Sequence, residues 1–248
     1  MSWKRSPPSA LTTPPDRTVN ERDRLQEVYS AIDASRREQA KRDGANPGNI
    51  LLVRERHAKL RKLLAMAAPD PSATTILEVG CGFGDQLEWL LSSGVGATRY
   101  VGVDVLEDRV RRATRLRERA NFVCGDAQQL PIRNLGVQLV LCSTLFSSIL
   151  SDSVAIAVAS EVDRVLEPGG HLLWYDLRLT NPVDPKVRRY GRTGIQRLFP
   201  RYLIRLESIG LIPPLARRLG PSAGWLYRPL VAIPFLRSGY VGLFTKPA

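Results

Sequence analysis

The sequence contains few of the residues that build disulfide frameworks or zinc sites. It has three cysteines, Cys81, Cys124 and Cys142, without a C-x-x-C pair, and two histidines, His57 and His171. A disulfide framework uses an even set of cysteines, and a zinc site needs clustered cysteine and histidine ligands. We therefore expect no resident metal and reduced thiols, as in cytoplasmic proteins.

Long apolar runs are also missing. No stretch approaches the ~18 uninterrupted apolar residues of a membrane-spanning helix, and the amino terminus shows no apolar core of a secretory signal. We therefore expect a cytoplasmic chain. Peripheral contact with the inner face of the membrane is the one form of membrane association that the sequence still allows. The length of 248 residues fits one α/β unit with extensions.

Acidic residues are scarce in the last part of the chain. The formal net charge is +12, yet residues 76–177 contain 9 Arg and Lys against 13 Asp and Glu. Residues 178–248 contain 13 against 2. Such a basic segment suits an anionic partner, either nucleic acid, phospholipid or an anionic substrate. The alternative is an arginine-rich surface that is simply solvated.

A glycine-rich turn follows the first predicted strand. Residues 76–84 read Ile-Leu-Glu-Val-Gly-Cys-Gly-Phe-Gly, with Gly80, Gly82 and Gly84 at alternate positions. Glycine tolerates positive φ and lets the backbone approach a ligand closely. The dinucleotide fingerprint G-x-G-x-x-G would place its third glycine at position 85, where Asp85 stands. The turn therefore predicts a cofactor other than a dinucleotide.

Acidic residues also mark the next two predicted strands. Tyr100–Asp104 is an apolar run that ends in an acid, Asn121–Asp126 is another, and Glu78 lies in the first strand. In open α/β sheets, ligands bind outside the carboxyl ends of the parallel strands. We therefore expect these acids to face a common crevice.

Four ordered motifs carry a family resemblance. They are Leu77–Gly84, Val101–Asp104, Gly125–Ala127 with the following Leu130-Pro131, and Glu161–Leu173 with its Pro-Gly-Gly turn. On these motifs the chain resembles the class I S-adenosylmethionine-dependent methyltransferases, and more narrowly their small-molecule group, which includes quinone-biosynthesis methyltransferases. The resemblance covers roughly residues 50–178.

The resemblance implies a fold and a cofactor. The fold is α/β: a Rossmann-like, seven-stranded, mostly parallel sheet with helices on both faces and an antiparallel last strand. The cofactor is S-adenosylmethionine, which leaves as S-adenosylhomocysteine. Asp104 would bind both ribose hydroxyls, since a carboxylate offers two acceptor oxygens, and Asp126 would accept from the adenine amine. The residues assigned to the cofactor are Glu78, Gly80, Cys81, Gly82, Gly84, Asp104, Val105, Asp126, Ala127 and Ser143.

The chain divides into a tail and one domain. Proline-rich residues 1–19 predict a disordered or loosely docked tail, and residues 20–248 form a single methyltransferase domain. Within it, residues 20–70 predict two cap helices, the first capped by Asn20 and the second by Asn49. Residues 75–177 form the cofactor-binding core, and residues 178–248 form the basic carboxyl-terminal segment.

The core predicts alternating strands and helices. Strands are expected near 75–79, 99–103, 121–124, 137–142 and 170–176, with helices near 84–93, 107–119 and 152–166. A helix near 192–198 follows. Leu203–Ile209 and Tyr240–Thr245 complete the sheet as an antiparallel pair.

An apolar and basic insert, residues 211–237, precedes the last strand. Its prolines predict two short helices. Its aromatic and arginine side chains suit a membrane surface, whereas the alternatives are a cap over the substrate cavity or a homodimer contact. The residues concerned are Trp225, Tyr227, Phe235, Arg217, Arg218, Arg228 and Arg237.

Methyl transfer from a sulfonium needs alignment and exclusion of water rather than elaborate catalytic groups. If a base assists, Asp176 is the first candidate, because it lies at the carboxyl end of the fifth strand, and His57 is the second. Residues 142–148 lack the Asn/Asp-Pro-Pro-aromatic turn of many base N-methyltransferases, which makes nucleic acid the less favoured partner.

The leading hypothesis is O-methylation of a small molecule or glycan: a natural product, a polysaccharide or a lipid-linked acceptor. The basic carboxyl-terminal segment keeps RNA methylation as an alternative. A non-catalytic scaffold that binds S-adenosylmethionine is the further alternative.

Overall fold

The computed structural model describes residues 18–35, 43–180 and 186–248. In these residues, seven strands form one sheet in the order β3-β2-β1-β4-β5-β7-β6. Strands β1 to β5 run parallel, and β7 is antiparallel to both β5 and β6. The strands are β1 Ile76–Val79, β2 Tyr100–Asp104, β3 Asn121–Cys124, β4 Val137–Ser143, β5 Leu166–Leu177, β6 Leu203–Leu211 and β7 Arg237–Thr245. The predicted Rossmann-like sheet with an antiparallel last strand is confirmed.

Helices cover both faces of the sheet. In the described ranges they are α1 Thr18–Ala34, α2 Pro47–Ala67, α3 Leu87–Leu91, α4 Glu107–Leu116, α5 Asp152–Val165, α6 Arg192–Leu198, α7 Pro213–Arg218 and α8 Ala223–Ala232. Helix α6 occupies the predicted range, and α7 and α8 confirm two short helices in the insert.

Two apolar cores result, one on each face. On one face the Trp174 ring stacks on Phe146 at 4.8 Å and on Phe244 at 5.5 Å between centroids. On the other face, Leu60 and Leu64 of α2 pack in a buried cluster with residues of β1 and α3. Helix α2 is thereby fixed against the sheet next to the carboxyl ends of the strands.

The starts of the two leading helices differ from the prediction. Asn46, not Asn49, caps α2, because its side chain accepts from the N–H groups of Gly48 and Asn49 at 3.0 and 3.2 Å. Pro47 fits the first helical position, where no N–H is needed. Helix α1 begins at Thr18, so the predicted cap Asn20 lies inside it. Residues 1–17 and 36–42, parts of the predicted tail and first helix, lie outside the described residues.

The insert packs on α2 through part of its aromatic and basic side chains. Tyr227 is buried, and its hydroxyl donates to the Glu55 carboxylate at 2.6 Å. Arg237 donates to the carbonyls of Val231 and Ala232 at 2.7 and 3.1 Å. Of the residues considered for a membrane surface, Tyr227 and Arg237 instead make internal hydrogen bonds, as the packed alternative expects.

A glycine sets the distance between α2 and the insert. A Cβ atom on Gly48 would lie 2.0 Å from the backbone oxygen of Ala216 in α7. Only glycine permits this approach of the two backbones. The close contact fixes α7 and α8 relative to the helix that forms one wall of the cavity described next.

Candidate cofactor and acceptor site

A cavity of about 770 Å³ opens at the carboxyl ends of the parallel strands. It lies under α1 and α2, with the glycine turn on one side and the insert on another. Of the predicted cofactor residues, all but Gly84 line it: Glu78, Gly80, Cys81, Gly82, Asp104, Val105, Asp126, Ala127 and Ser143. The structure thus brings together residues spread over three predicted motifs.

Backbone hydrogen bonds hold the glycine turn on β2. The N–H groups of Gly80 and Cys81 donate to the Val103 carbonyl at 2.8 and 3.1 Å. The N–H of Gly82 donates to the Asp104 carboxylate at 2.8 Å. Gly80 and Gly82 have φ of 76° and 54°, which glycine adopts without strain. These hydrogen bonds fix the turn along one side of the cavity.

Asp104 is constrained from both sides yet keeps free acceptor capacity. Its second carboxylate oxygen accepts from the N–H of Leu106 at 2.9 Å. Each oxygen therefore carries one backbone hydrogen bond and has a second lone pair left. Asp104 is largely buried and lines the cavity. A fixed carboxylate with two available lone pairs fits a ribose diol.

Gly84 has a different role from Gly80 and Gly82. Its φ is 73°, and a Cβ atom there would lie 2.8 Å from the Phe122 ring. Its N–H donates to the Cys81 carbonyl at 2.9 Å. Gly84 lies outside the cavity wall and serves the turn and its packing on β3, so its assignment to the cofactor is corrected.

Glu78 lines the end of the cavity where Asp85 and Asp104 also lie, here termed the acidic end. Its buried carboxylate accepts from the Tyr100 hydroxyl. Burial raises the pKa of Glu78 to about 8, and the neighbouring Asp85 and Asp104 carboxylates raise it further, against the effect of the Tyr100 hydrogen bond. A cation placed in this end of the cavity would favour the ionised form of Glu78. The site therefore suits the cationic end of S-adenosylmethionine.

Asp126 and its neighbours build the opposite wall. The Asp126 carboxylate accepts from the N–H of Gln128 at 2.8 Å, which orients it at the end of β3. Val105, Leu106 and Ala127 line the same part of the cavity. An acid framed by apolar side chains fits a planar ring with an exocyclic amine, as the resemblance implied for adenine.

The remaining wall carries a group of apolar side chains among polar ones. Helices α1 and α2 and the strand β5 supply it, and α7 closes one side. The residues are Leu25, Tyr29, Leu52, Val53, Tyr175, Leu177 and Pro213. This half of the cavity offers space and apolar surface for an acceptor beside the cofactor end.

Polar and charged side chains also line this wall, and Arg56 and His57 of α2 are two of them. The Arg56 guanidinium lies over the Tyr175 ring at 4.8 Å, and the His57 ring stacks on Trp89 at 5.6 Å. Arg56 Nε and His57 Nε2 are buried and have no hydrogen-bond partner among the described residues. Burial and the charges of Arg56 and Arg61 lower the pKa of His57 to about 4. The wall therefore presents a cation beside a neutral imidazole.

The expectation that Asp176 faces the crevice is wrong. Tyr175 and Leu177 line the cavity, and side chains alternate along a strand, so Asp176 points to the other face. It is buried and accepts from the N–H groups of Ser147 and Leu177 at 3.0 and 2.7 Å. Burial raises the pKa of Asp176 to about 6, although these hydrogen bonds lower it. Asp176 holds the loop after β4 instead of acting on a ligand.

Thr144 was expected from the sequence as part of a pocket wall, but its backbone strain was not. Thr144 lines the cavity with φ of 55°, in the left-handed region that non-glycine residues rarely adopt. Its N–H donates to the Tyr175 carbonyl at 2.7 Å, and its carbonyl accepts from the Ser148 hydroxyl at 3.1 Å. Threonine at a turn gives no sequence signal for this conformation.

Helix α1 is held over the cavity by polar contacts. The N–H of Leu150 donates to the Glu21 carboxylate at 2.8 Å, and the hydroxyls of Tyr29 and Ser148 lie 2.5 Å apart. The Arg109 guanidinium covers the Tyr29 ring at 4.2 Å. These contacts join residues more than 70 positions apart, so spacing in the sequence does not reveal them.

Comparisons with known proteins agree with this geometry. Residues 76–170 match a family described as a methyltransferase domain. A fatty-acid O-methyltransferase of Mycolicibacterium smegmatis is 37% identical over 137 residues, covering 54% of this chain and 48% of that protein. A phthiotriol/phenolphthiotriol dimycocerosates methyltransferase of Mycobacterium leprae is 30% identical over 138 residues, covering 52% and 47%. The chain spans about half the length of these curated relatives.

A solved structure shows the same fold. A SAM-dependent methyltransferase from Archaeoglobus fulgidus has a TM-score of 0.55 at 15% identity, covering 79% of this chain and 98% of that chain. At this identity the likeness concerns the fold alone. Residues 76–170 thus match a methyltransferase domain, and the described chain has the fold of a SAM-dependent methyltransferase structure.

Proposed function

We propose that the chain methylates an oxygen of a lipophilic small molecule, and that the acceptor oxygen belongs to a carboxylate. Two relatives bear the names of fatty-acid and phthiotriol methyltransferases, and both names denote lipid acceptors. The apolar half of the cavity suits such a molecule. S-adenosylmethionine supplies an activated methyl group on a sulfonium; the chain's residues have to place the acceptor and exclude water.

The observation that carries this proposal is the pair Arg56 and His57. Both residues line the cavity, and the Arg56 guanidinium lies over the Tyr175 ring of the same wall. A carboxylate is the natural partner of a guanidinium, since charge-assisted hydrogen bonds are the stronger ones. A carboxylate in the cavity would therefore find a cation in the wall beside the apolar surface that takes its chain.

The protonation states favour a carboxylate over an alcohol. A carboxylate is ionised at neutral pH and needs no base, whereas an alcohol nucleophile benefits from a base whose pKa lies near the working pH. His57, with a pKa of about 4, is a weak base, and Asp176 faces away from the cavity. Neither residue is suited to remove a proton from an alcohol.

The basic carboxyl-terminal segment gives less support to RNA methylation than its charge suggested. Arg178 donates to the carbonyls of Pro234 and Arg237 at 2.8 and 2.7 Å. Arg188 donates to the Asp152 carboxylate at 2.7 Å, and Arg192 donates to the Leu206 carbonyl at 3.1 Å. Several of these arginines therefore hold the segment together. This favours a small molecule over RNA as the acceptor.

Matched acceptors of equal chain length test the proposal. The full chain is incubated with methyl-labelled S-adenosylmethionine and either a fatty acid or the corresponding fatty alcohol. We expect label in the methyl ester and a much lower rate with the alcohol. Preferential methylation of the alcohol would overturn the carboxylate assignment. Absence of transfer to both, with cofactor binding shown by calorimetry, would favour the scaffold hypothesis.

A further inference from the structure

The insert exposes one face with aromatic and basic side chains. On α8, Trp225, Arg228, Pro229 and Ala232 are exposed at helical spacing, which places them on one side. The Trp225 side chain is 68% exposed, and Phe235 in the following turn is 69% exposed. Large apolar side chains with so much exposure are informative, whereas a single exposed leucine is not.

The opposite side of α8 packs against the rest of the protein. Tyr227 is buried in a cluster with Leu211 and Ala216, and Leu230 packs against it. The exposure of Trp225 is therefore not the result of a loosely placed helix. A helix packed on one side and exposing aromatic residues on the other needs an occupant for its outer face.

The charge around this face has one sign. Residues 211–237 contain four arginines and neither aspartate nor glutamate. Of these, Arg218 and Arg228 are exposed, on α7 and α8 respectively. Arg228 shares the exposed side of α8 with Trp225, and an arginine beside an exposed aromatic ring complements the anionic headgroups of a phospholipid bilayer. The charge argues against a second copy of the chain as occupant, because two such faces would repel each other.

The same insert reaches the acceptor half of the cavity. Pro213 of α7 lines the cavity, and so does Leu52 of α2, which also packs in the cluster beneath α8. A bilayer contact of the outer face would thus hold the cavity close to the lipid phase. A lipophilic acceptor dissolves in that phase.

We propose that Trp225, Phe235, Arg218 and Arg228, here termed the insert face, dock peripherally on an anionic phospholipid bilayer. In the part of the chain that the structure describes, no helix is long and apolar enough to cross a membrane. The docking would present the cavity to acceptors in the bilayer, and this consequence rests on the function proposed above. The docking itself does not depend on methyl transfer.

Tryptophan fluorescence tests the docking directly. Trp89 and Trp174 are buried, so in a Trp3→Phe background a change of emission on adding vesicles reports Trp225. We expect a blue shift with vesicles of phosphatidylcholine and phosphatidylglycerol, and a weaker one in high salt, which screens exposed charges. No shift with phosphatidylglycerol vesicles would overturn the docking.

Co-sedimentation with the same vesicles measures the affinity of variants. The substitutions Arg218→Gln and Arg228→Gln should each weaken vesicle binding about fivefold. This is the usual contribution of one basic residue near an anionic surface. Trp225→Ser with Phe235→Ser should abolish binding. Matched controls outside the insert face are Leu203→Ser, with 65% exposure, and the exposed Arg119→Gln, which should leave binding unchanged.

The two proposals fail in different ways. Equal loss of vesicle binding in the controls and the insert-face variants would overturn the docking. So would the finding, by ultracentrifugation, of a dimer that dissociates in the Trp225→Ser variant. Methyl transfer to a soluble short-chain acid, measured without vesicles, reports the proposed function alone. Vesicle binding without any transfer therefore refutes the function and retains the docking, and the reverse result refutes only the docking.

Discussion

The backbone N–H of Gly82 donates to the Asp104 carboxylate at 2.8 Å, which ties the glycine turn to the end of β2. One acid therefore shapes the cofactor turn and offers its remaining lone pairs to a ligand. This link explains why the turn and the acid, 22 residues apart, act as one site.

Asp104→Asn should weaken cofactor binding. The amide nitrogen would face either the N–H of Gly82 or that of Leu106, both of which are donors, and the charge-assisted bonds would be lost. We expect the affinity for S-adenosylmethionine to fall about 10- to 100-fold, because a hydrogen bond to a charged group contributes about 1.5–3 kcal/mol. Calorimetry measures this, with the exposed Asp108→Asn as control. Equal affinities of the two variants would contradict the role of Asp104.

Glu78→Gln should change how stability depends on pH. The folded pKa of Glu78 is raised from 4.5 to about 8, so the folded chain holds a proton that the unfolded chain releases. The wild type should thus lose stability relative to Glu78→Gln as pH rises from 4.5 to 8, by at most about 1.4 kcal/mol per pH unit. Urea unfolding without cofactor at several pH values measures the difference. Parallel pH curves would show that Glu78 ionises normally.

Arg56→Met should impair acceptor binding and leave cofactor binding intact. It removes the charge over Tyr175 while keeping most of the side-chain volume. We expect KM for a carboxylate acceptor to rise about 10- to 100-fold, because a hydrogen bond to a charged group usually contributes that much to binding. Arg54→Met, exposed on the same helix, is the control. If Arg56→Met weakened S-adenosylmethionine binding as much as it raised KM, Arg56 would belong to the cofactor end instead.

Gly84→Ala should destabilise the fold more than Gly169→Ala. Both glycines have φ of 73°, but a Cβ atom meets the Phe122 ring at 2.8 Å only at Gly84, and at Gly169 it meets nothing within 4 Å. Strain at positive φ costs about 1–3 kcal/mol, which both variants share. The difference between their free energies of unfolding in urea isolates the clash. Equal destabilisation would mean that the Phe122 ring moves aside freely.

The sequence predicted the sheet and the cofactor end because both depend on local patterns. Glycines followed by acids at strand ends identify Gly80, Gly82 and Asp104 without any knowledge of packing. The start of α2 also had a local signal, since Pro47 fits the first helical position and makes Asn46 the cap. The prediction of Asn49 overlooked that signal.

The acceptor end depends on contacts that the sequence does not encode locally. A shift of one residue along β5 moves a side chain to the other face of the sheet, so position near the strand end did not show where Asp176 points. Arg56 matters because α2 crosses the cavity beside Tyr175, which only the packing of the helix on the sheet reveals. His57 was predicted as a base, and its burial between Trp89 and charged neighbours explains why it is a weak one.

The most direct test of the account follows the methyl label from S-adenosylmethionine into a mixture of lipid, glycan and RNA extracts. We expect label in the lipid fraction that mild alkali releases as methanol, as a methyl ester does, and loss of that label with Arg56→Met. Label that enters RNA, or lipid label that resists alkali, would contradict carboxylate methylation.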